Sequence, residues 1–488
     1  MMLRGKIMNQ QVGQPNYWSV VSSTGLKLFL FIICSLSAMA QSGYAQKNGN
    51  DSSFKSDVIG IKETMLNPTY WEQKISAGTR EILTPEQISL QNQQLLTTDK
   101  NMQQVLSYPA ILSADRIRRQ ITSISKIPTS RRYSEHGVLL TDKDYHRYIE
   151  SLNLDALQKD QKIRFGLVVR RADMRTFPTE DKVFKTTKSI NLDRFQETAL
   201  FPTQAVAILH ESKDRKWFFA VSYNYSAWVK KDAIAIGKRQ QILNYKQNRD
   251  FLVITGDKVF TSYNPYNKNI SQLQLEMGTK VPLVPANEVP KSIGGQNTYT
   301  SYVISLPTRN EKGELKLAKA LIPRKADVHQ GYLPFTEQNL LSQSFKFLGE
   351  RYGWGHSFNA RDCTGFVGEV YKSFGILMPR NTGQQAKSKL GKNIHFTKAA
   401  TRKEKLQALS SLEVGDLIYI PGHVMMVIGY DAGKPYIIHD VSGLSYFNKQ
   451  GKYYQSVLNG VSVTPFLPLQ LSKEKTYLDR VNTIKKIK

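Results

Sequence analysis

Cys363 sits in the run Arg361-Asp362-Cys363-Thr364-Gly365-Phe366, and past the first forty residues it is the only cysteine of the chain. About sixty residues later, Pro421-Gly422-His423-Val424-Met425-Met426 puts a histidine at the head of an apolar run. A second histidine closes the next such run, Tyr436-Ile437-Ile438-His439-Asp440. One thiol with two separated histidines is the set expected of a thiolate nucleophile, its base and the group that orients the base. A free cysteine is more often a small buried apolar residue, and a lone histidine more often structural. The neighbouring residues must therefore carry the argument.

Those neighbours read as elements able to position the three side chains. Asp362 is a helix N-cap, which places Cys363 in the first turn of a helix from about 362 to 374. Phe366, Val367, Val370, Tyr371 and Phe374 form its buried face, and Gly375 suits its stop. The helix dipole and unpaired N–H groups there favour thiolate over thiol. The Cys363 N–H becomes an oxyanion donor, and a mild alkylating reagent should label the sulfur quickly near neutral pH. A strand from His423 to Gly429, a turn at Asp431-Ala432-Gly433 and a return strand from 435 to 440 bring the histidines onto neighbouring strands. His439 can then hold the second nitrogen of His423. Zinc is the rival for Cys363, His423, His439 and Asp440, but neither Cys-x-x-Cys nor His-Glu-x-x-His spacing occurs, so no metal and no cofactor are expected. His136, His146, His210, His329 and His395 lack motif context, and His356 is a lining residue at most.

The chain has 488 residues, 40% hydrophobic and 10% aromatic, which suits several folded domains. Residues 1–40 read as an export signal. Arg4, Lys6 and Lys27 are basic, 28–36 is nearly all apolar and too short to span a bilayer comfortably, and Ala38-Met39-Ala40 fits a cleavage site. Ile33 before Cys34 argues against lipidation. The formal charge of +27 suits anionic polymers or surfaces such as cell-wall material. Nucleic acid is disfavoured, because the basic residues are scattered and no recognition motif appears. The expected product is an exported monomer in the periplasm or outside the cell, without stable membrane insertion.

The fold class expected is multidomain. A helical N-terminal or lid segment covers 41–158, where Thr84-Pro85-Glu86-Gln87 is a helix start. Short alternating strands such as 164–169, 205–209 and 217–221 give a small β-barrel over 159–240, and a second β-rich block gives another over 241–334. Residues 335–488 form an α+β domain.

Tyr352-Gly353-Trp354-Gly355, Asp362-Cys363-Thr364-Gly365-Phe366 and Pro421-Gly422-His423-Val424-Met425 resemble the NlpC/P60 cysteine peptidases of bacterial cell walls. Thr364 stands where that family usually has serine, and keeps the hydroxyl. Arg170 to Pro178 and Trp217 to Trp228 resemble the first bacterial SH3-type domain of the multidomain branch. Met277-Gly278-Thr279 and Gly331 to Thr336 resemble its second, and 67–92 its N-terminal segment.

The resemblance implies a papain-like catalytic domain with Cys363, His423 and His439 as its catalytic residues. It implies hydrolysis of the bond between γ-D-glutamate and a diamino acid in peptidoglycan stem peptides or muropeptides, with preference for a free L-alanine amine. Tyr352, Asp362 and Thr364 would contact the substrate, and Tyr225 would belong to the SH3-type wall of the cleft. Two readings stay open beside it: a non-catalytic wall-binding protein, and an amidase or acyltransferase on the same fold.

Overall fold

A computed structural model describes residues 54–76, 78–187 and 191–488; the export signal expected at 1–40 lies outside them. No helix among the described residues is long and apolar enough to cross a membrane.

Helix α1 (Pro68–Glu72) starts at Asn67, whose side chain accepts the Thr69 N–H. Helix α2 (Pro85–Thr98) starts where the sequence placed it, with Thr84 and Gln87 closing a reciprocal capping box. Met65, Trp71, Leu83, Ile88, Leu95 and Met102 enter one apolar core with Phe335, Phe366, Tyr371 and Ile438 of the C-terminal domain. Helices α3 (Ala114–Ile124) and α4 (Asp142–Ser151) turn elsewhere. Their Ile117, Ile121, Tyr145 and Tyr148 pack with Phe165, Phe219 and Trp228 of the first β-unit. The segment expected as one lid thus divides its apolar faces between two other units.

The first β-unit contains β1 (Arg164–Val168), β2 (Ala172–Arg175), β3 (Gln196–Leu200), β4 (Ala205–Glu211), β5 (Trp217–Val221), β6 (Ser226–Lys230) and β7 (Ile234–Gly237). They form one sheet in the order β7-β1-β4-β5-β6-β2-β3, antiparallel throughout. Side chains alternate across a strand. Phe218 and Ala220 line one core while Trp217, Phe219 and Val221 line the other, under α3 and α4. With both faces covered, β5 reads as an unbroken apolar run.

The second β-rich block is less continuous. Strand β8 (Phe251–Ile254) pairs with β11 (Lys280–Pro282) and β14 (Val328–Gln330). Strand β9 (Lys258–Phe260) pairs with β10 (Gln274–Glu276), and β12 (Ser301–Arg309) with β13 (Leu315–Pro323). These small sheets enclose one core that includes Leu252, Ile254, Leu275, Ile304 and Ile322.

In the C-terminal domain, α5 (Glu337–Phe345) and α6 (Cys363–Lys372) pack on a six-stranded antiparallel sheet. The sheet comprises β15 (Lys392–His395), β16 (Leu417–Ile420), β17 (His423–Asp431), β18 (Lys434–Phe447), β19 (Tyr453–Pro465) and β20 (Thr483–Lys486). Their order is β15-β20-β16-β17-β18-β19. The turn between β17 and β18 holds Ala432 and Gly433, both at positive φ (47° and 72°), as a tight two-residue hairpin requires.

Trp71 ties the N-terminal segment to this sheet. It is 1% exposed, donates from Nε1 to the Met65 carbonyl and packs 5.2 Å from the Tyr436 ring. Trp71→Ala should lower stability by about 3–5 kcal/mol. Urea unfolding measures this, and a loss below about 1 kcal/mol would show that the segment is not part of the domain's core.

Candidate active site

Asp362 caps α6 as its position in the sequence requires, accepting the Gly365 N–H at 2.9 Å and the Thr364 hydroxyl at 3.0 Å through Oδ1. Its Oδ2 accepts the Gly355 N–H at 3.0 Å. Arg380 grips both oxygens, Nη1 at 3.0 Å and Nη2 at 2.7 Å. Burial would raise the Asp362 pKa, but the Arg380 charge overrides it and holds the carboxyl well below the usual range.

Cys363 opens the helix in the first turn, 5% exposed. Its sulfur lies 4.0 Å from the Thr382 hydroxyl and within reach of the Val424 N–H, one peptide beyond His423. Helix α6 rests against β17, so the helix tip and the strand end meet at this point. No sulfur–imidazole hydrogen bond forms among the described residues. Such bonds are commonly long in free enzymes and tighten when substrate binds.

The two histidines do meet. Met426 pairs with Ile438 across the hairpin, and continuing that register puts His423 and His439 diagonally on one face. His423 Nε2 lies 2.9 Å from His439 Nδ1, and His439 Nε2 lies 3.0 Å from the Thr464 hydroxyl. A chain in which each ring donates from Nε2 leaves Nδ1 of His423 as the free basic nitrogen.

Burial lowers the His423 pKa to about 4, and burial followed by the nearby His423 charge lowers that of His439. Burial, then the Asp362 carboxylate, pushes the Cys363 thiol up to about 12. The helix-tip location is as expected, but the thiolate it was expected to favour is opposed by these two effects. The resting site is a neutral thiol beside a neutral imidazole.

Tyr352 is buried near Cys363 and Asp362. Thr364 is also buried, with its hydroxyl engaged by Asp362 and Arg380. Tyr225, from the first β-unit, donates its hydroxyl to Glu197 of β3. His356 is more than a lining residue. It is 3% exposed, its Nε2 lies 3.0 Å from Glu369 and its Nδ1 3.1 Å from Arg380, and burial lowers its pKa to about 4. It occupies a run, Gly355 to Asn359, in which four residues have positive φ. Arg171 and Gln196 hold that run by its carbonyls.

Sequence reasoning missed Arg380, Thr382, Glu197 and Thr464. Arg380 lies in an aperiodic stretch after α6, and Thr382 opens a short helix, Thr382–Lys387, whose capping box at Asn381 and Gln384 was the signal available for it. Gln196-Glu197-Thr198, a polar triplet opening an apolar strand, was the one signal available for Glu197. Asp440 alternates away from His439. Both its oxygens are unpartnered among the described residues, and burial, then Asp362 and Glu350, push its pKa well above the usual carboxylate value. No cluster of ligands able to hold a metal ion occurs among the described residues.

Residues 349–463 match the NlpC/P60 family, and 181–230 match the SH3 domain of SH3b1 type. The C-terminal domain is an NlpC/P60 domain. The chain is 27% identical over 201 residues to the gamma-D-glutamyl-L-lysine dipeptidyl-peptidase of Bacillus cereus, covering 40% of this chain and 47% of that protein. The match thus spans about half the length of that relative. An NlpC/P60 endopeptidase from Photobacterium damselae subsp. piscicida superposes with a TM-score of 0.67 at 16% identity, covering 86% of this chain and 96% of its own. An NlpC/P60 family protein from Bacillus cereus gives 0.44 at 18% identity, covering 66% and 99%. The Photobacterium likeness establishes a shared fold around the NlpC/P60 domain that extends well beyond it.

Two outcomes test this site. Arg380→Met leaves Asp362 buried without its counter-charge and should cost about 3–5 kcal/mol at neutral pH. The penalty should be smaller at about pH 4, because burial raises the pKa of the orphaned carboxyl and it takes up a proton before that pH is reached. Urea titrations at the two pH values measure both. For Cys363, a raised thiol pKa makes iodoacetamide alkylation slow at pH 7 and still rising at pH values above about 9. A rate already flat from about pH 5 upward would show a preformed thiolate–imidazolium pair instead.

Proposed function

We propose that this protein is an exported cysteine endopeptidase that hydrolyses the γ-D-glutamyl–diamino acid bond of peptidoglycan stem peptides. One arrangement carries the reading: a cysteine at a capped helix tip beside a strand whose histidine is oriented by a second histidine. As Cys363 Sγ attacks the γ-glutamyl carbonyl, its proton passes to Nδ1 of His423. The developing oxyanion is met by the Cys363 N–H at the helix start. His423 then protonates the leaving amine, and the diamino acid portion departs. Water, deprotonated by His423, attacks the thioester and releases the glutamyl acid and the free thiol. His439, backed by Thr464, acts by holding the His423 tautomer and ring.

On the acyl side, Tyr225 and Thr176 hold the Glu197 carboxylate at the junction with the first β-unit. A carboxylate there suits the free amine of an N-terminal L-alanine. Tyr352, Asp362 and Thr364 flank the reacting carbonyl. Because the Asp362 and Thr364 side chains are already engaged, their part is to shape and charge the pocket rather than to swing onto substrate. Residues 241–334 serve as a second SH3-type domain, and the basic charge favours approach to anionic wall polymer. The intact His423–His439–Thr464 chain favours catalysis over a purely binding role.

Purified protein should cleave L-Ala-γ-D-Glu-diaminopimelate, with product masses separating this from amidase or acyltransferase chemistry. Cys363→Ala should abolish turnover with folding intact. His423→Ala should reduce kcat by about 10²–10⁴, and His439→Ala by less. Turnover surviving in Cys363→Ala would remove the proposed nucleophile.

A further inference from the structure

Arg194 belongs to the run Asp193-Arg194-Phe195-Gln196-Glu197, and its neighbours are all occupied. Asp193 pairs with Arg175, and Phe195 is buried in the apolar core. Gln196 donates to the Gly355 carbonyl, and Glu197 accepts from Thr176 and Tyr225. The Arg194 guanidinium has neither a hydrogen-bond nor a carboxylate partner among the described residues. It lies over the Trp354 ring, 5.3 Å from the centroid. Trp354 is pinned by its Nε1 donating to the Gln196 carbonyl at 3.2 Å.

Trp354 is two residues from Tyr352, through Gly353 in extended conformation, so both come from one side of the stretch beside Cys363. Burial, then the like charge of Arg132, holds the Arg194 pKa below its ordinary value, with Tyr352 acting the other way. Two more arginines share the surroundings. Arg351 donates to Asn191 at 2.7 Å and lies 5.3 Å from the Phe358 ring centroid, while Arg132 donates to Ser130. Neither has an acid within salt-bridge reach among the described residues. A half-buried cation without a counter-ion leaves its desolvation uncompensated. A carboxylate supplies what is missing, and a guanidinium fixed by stacking is already oriented to bind it through two parallel hydrogen bonds.

We propose that Arg194, stacked on Trp354 beside the cleft, is a subsite for a free carboxylate of the stem peptide. This rests on the stem-peptide reading above. Two carboxylates could occupy it: the α-carboxylate of the γ-linked D-glutamate, or the side-chain carboxylate that distinguishes diaminopimelate from lysine.

Three peptides separate the sources: L-Ala-γ-D-Glu-meso-diaminopimelate, the same peptide with lysine, and the same peptide with D-isoglutamine replacing D-glutamate. R194Q should reduce kcat/KM about tenfold or more, chiefly through KM, on peptides that carry the recognised carboxylate. The peptide lacking it should stay within about twofold of the wild type. Sparing of the lysine peptide assigns the diamino acid, and sparing of the isoglutamine peptide assigns the glutamyl unit. R194K, which keeps the charge but not the planar fork, should fall between. An equal loss on all three peptides, or no loss on any, overturns the subsite. If R194Q fails to fold by its thermal midpoint, R194K carries the same comparison. A wild-type protein that cleaves none of the three refutes the peptidase reading itself, whatever the variants do.

Discussion

The bidentate ion pair between Asp362 and Arg380 is the constraint on which the site rests. Asp362 is held ionised as it caps the helix that carries Cys363, and an ionised carboxylate buried there needs an equally buried cation. Arg380 supplies it and donates from Nε to Thr198 of β3 at 2.7 Å. Through His356 and Glu369 the network reaches Arg361, which binds Glu350 and the Asp257 carbonyl in the second β-rich block. One network of ion pairs and hydrogen bonds thus ties the helix tip to both β-units. Removing any member strands the next one, so the geometry of Cys363 is tied to the arrangement of three parts of the chain.

The same burial sets the resting chemistry. An interior arranged to hold Asp362 negative works against a second negative charge on the adjacent sulfur, and the low polarity that keeps Cys363 protonated keeps His423 neutral. In the proposed mechanism the charged pair is a state reached during reaction. Its imidazolium would be supported by His439, whose Nδ1 can only accept when its proton sits on Nε2 against Thr464. Orientation by a neutral ring suits a site already crowded with acids: Asp362, Glu350 and Asp440 all lie near one another.

The apolar cores add a second level of coupling. The N-terminal segment gives Trp71 to the C-terminal core and Ile117 and Tyr148 to the core of the first β-unit. It bridges the C-terminal domain and the first β-unit. Sequence texture showed helices there but not their destinations, because an amphipathic face records that it will be buried and not against what.

Local physics made much of the site legible beforehand. Asp362 before a helical apolar pattern marks a cap, the turn at Asp431-Ala432-Gly433 marks a hairpin, and the hairpin's register makes neighbours of His423 and His439. Each follows from backbone geometry over a few residues, and the sequence determined it alone. Tertiary structure decided what local pattern cannot encode: that Arg380 would neutralise Asp362, that His356 would be a buried link, that Glu197 would meet Tyr225 and that Arg194 would lie over Trp354. It also decided the protonation of Cys363. A helix dipole and an adjacent carboxylate can be read from sequence, but the burial that opposes the thiolate exists only once distant segments have closed around the sulfur.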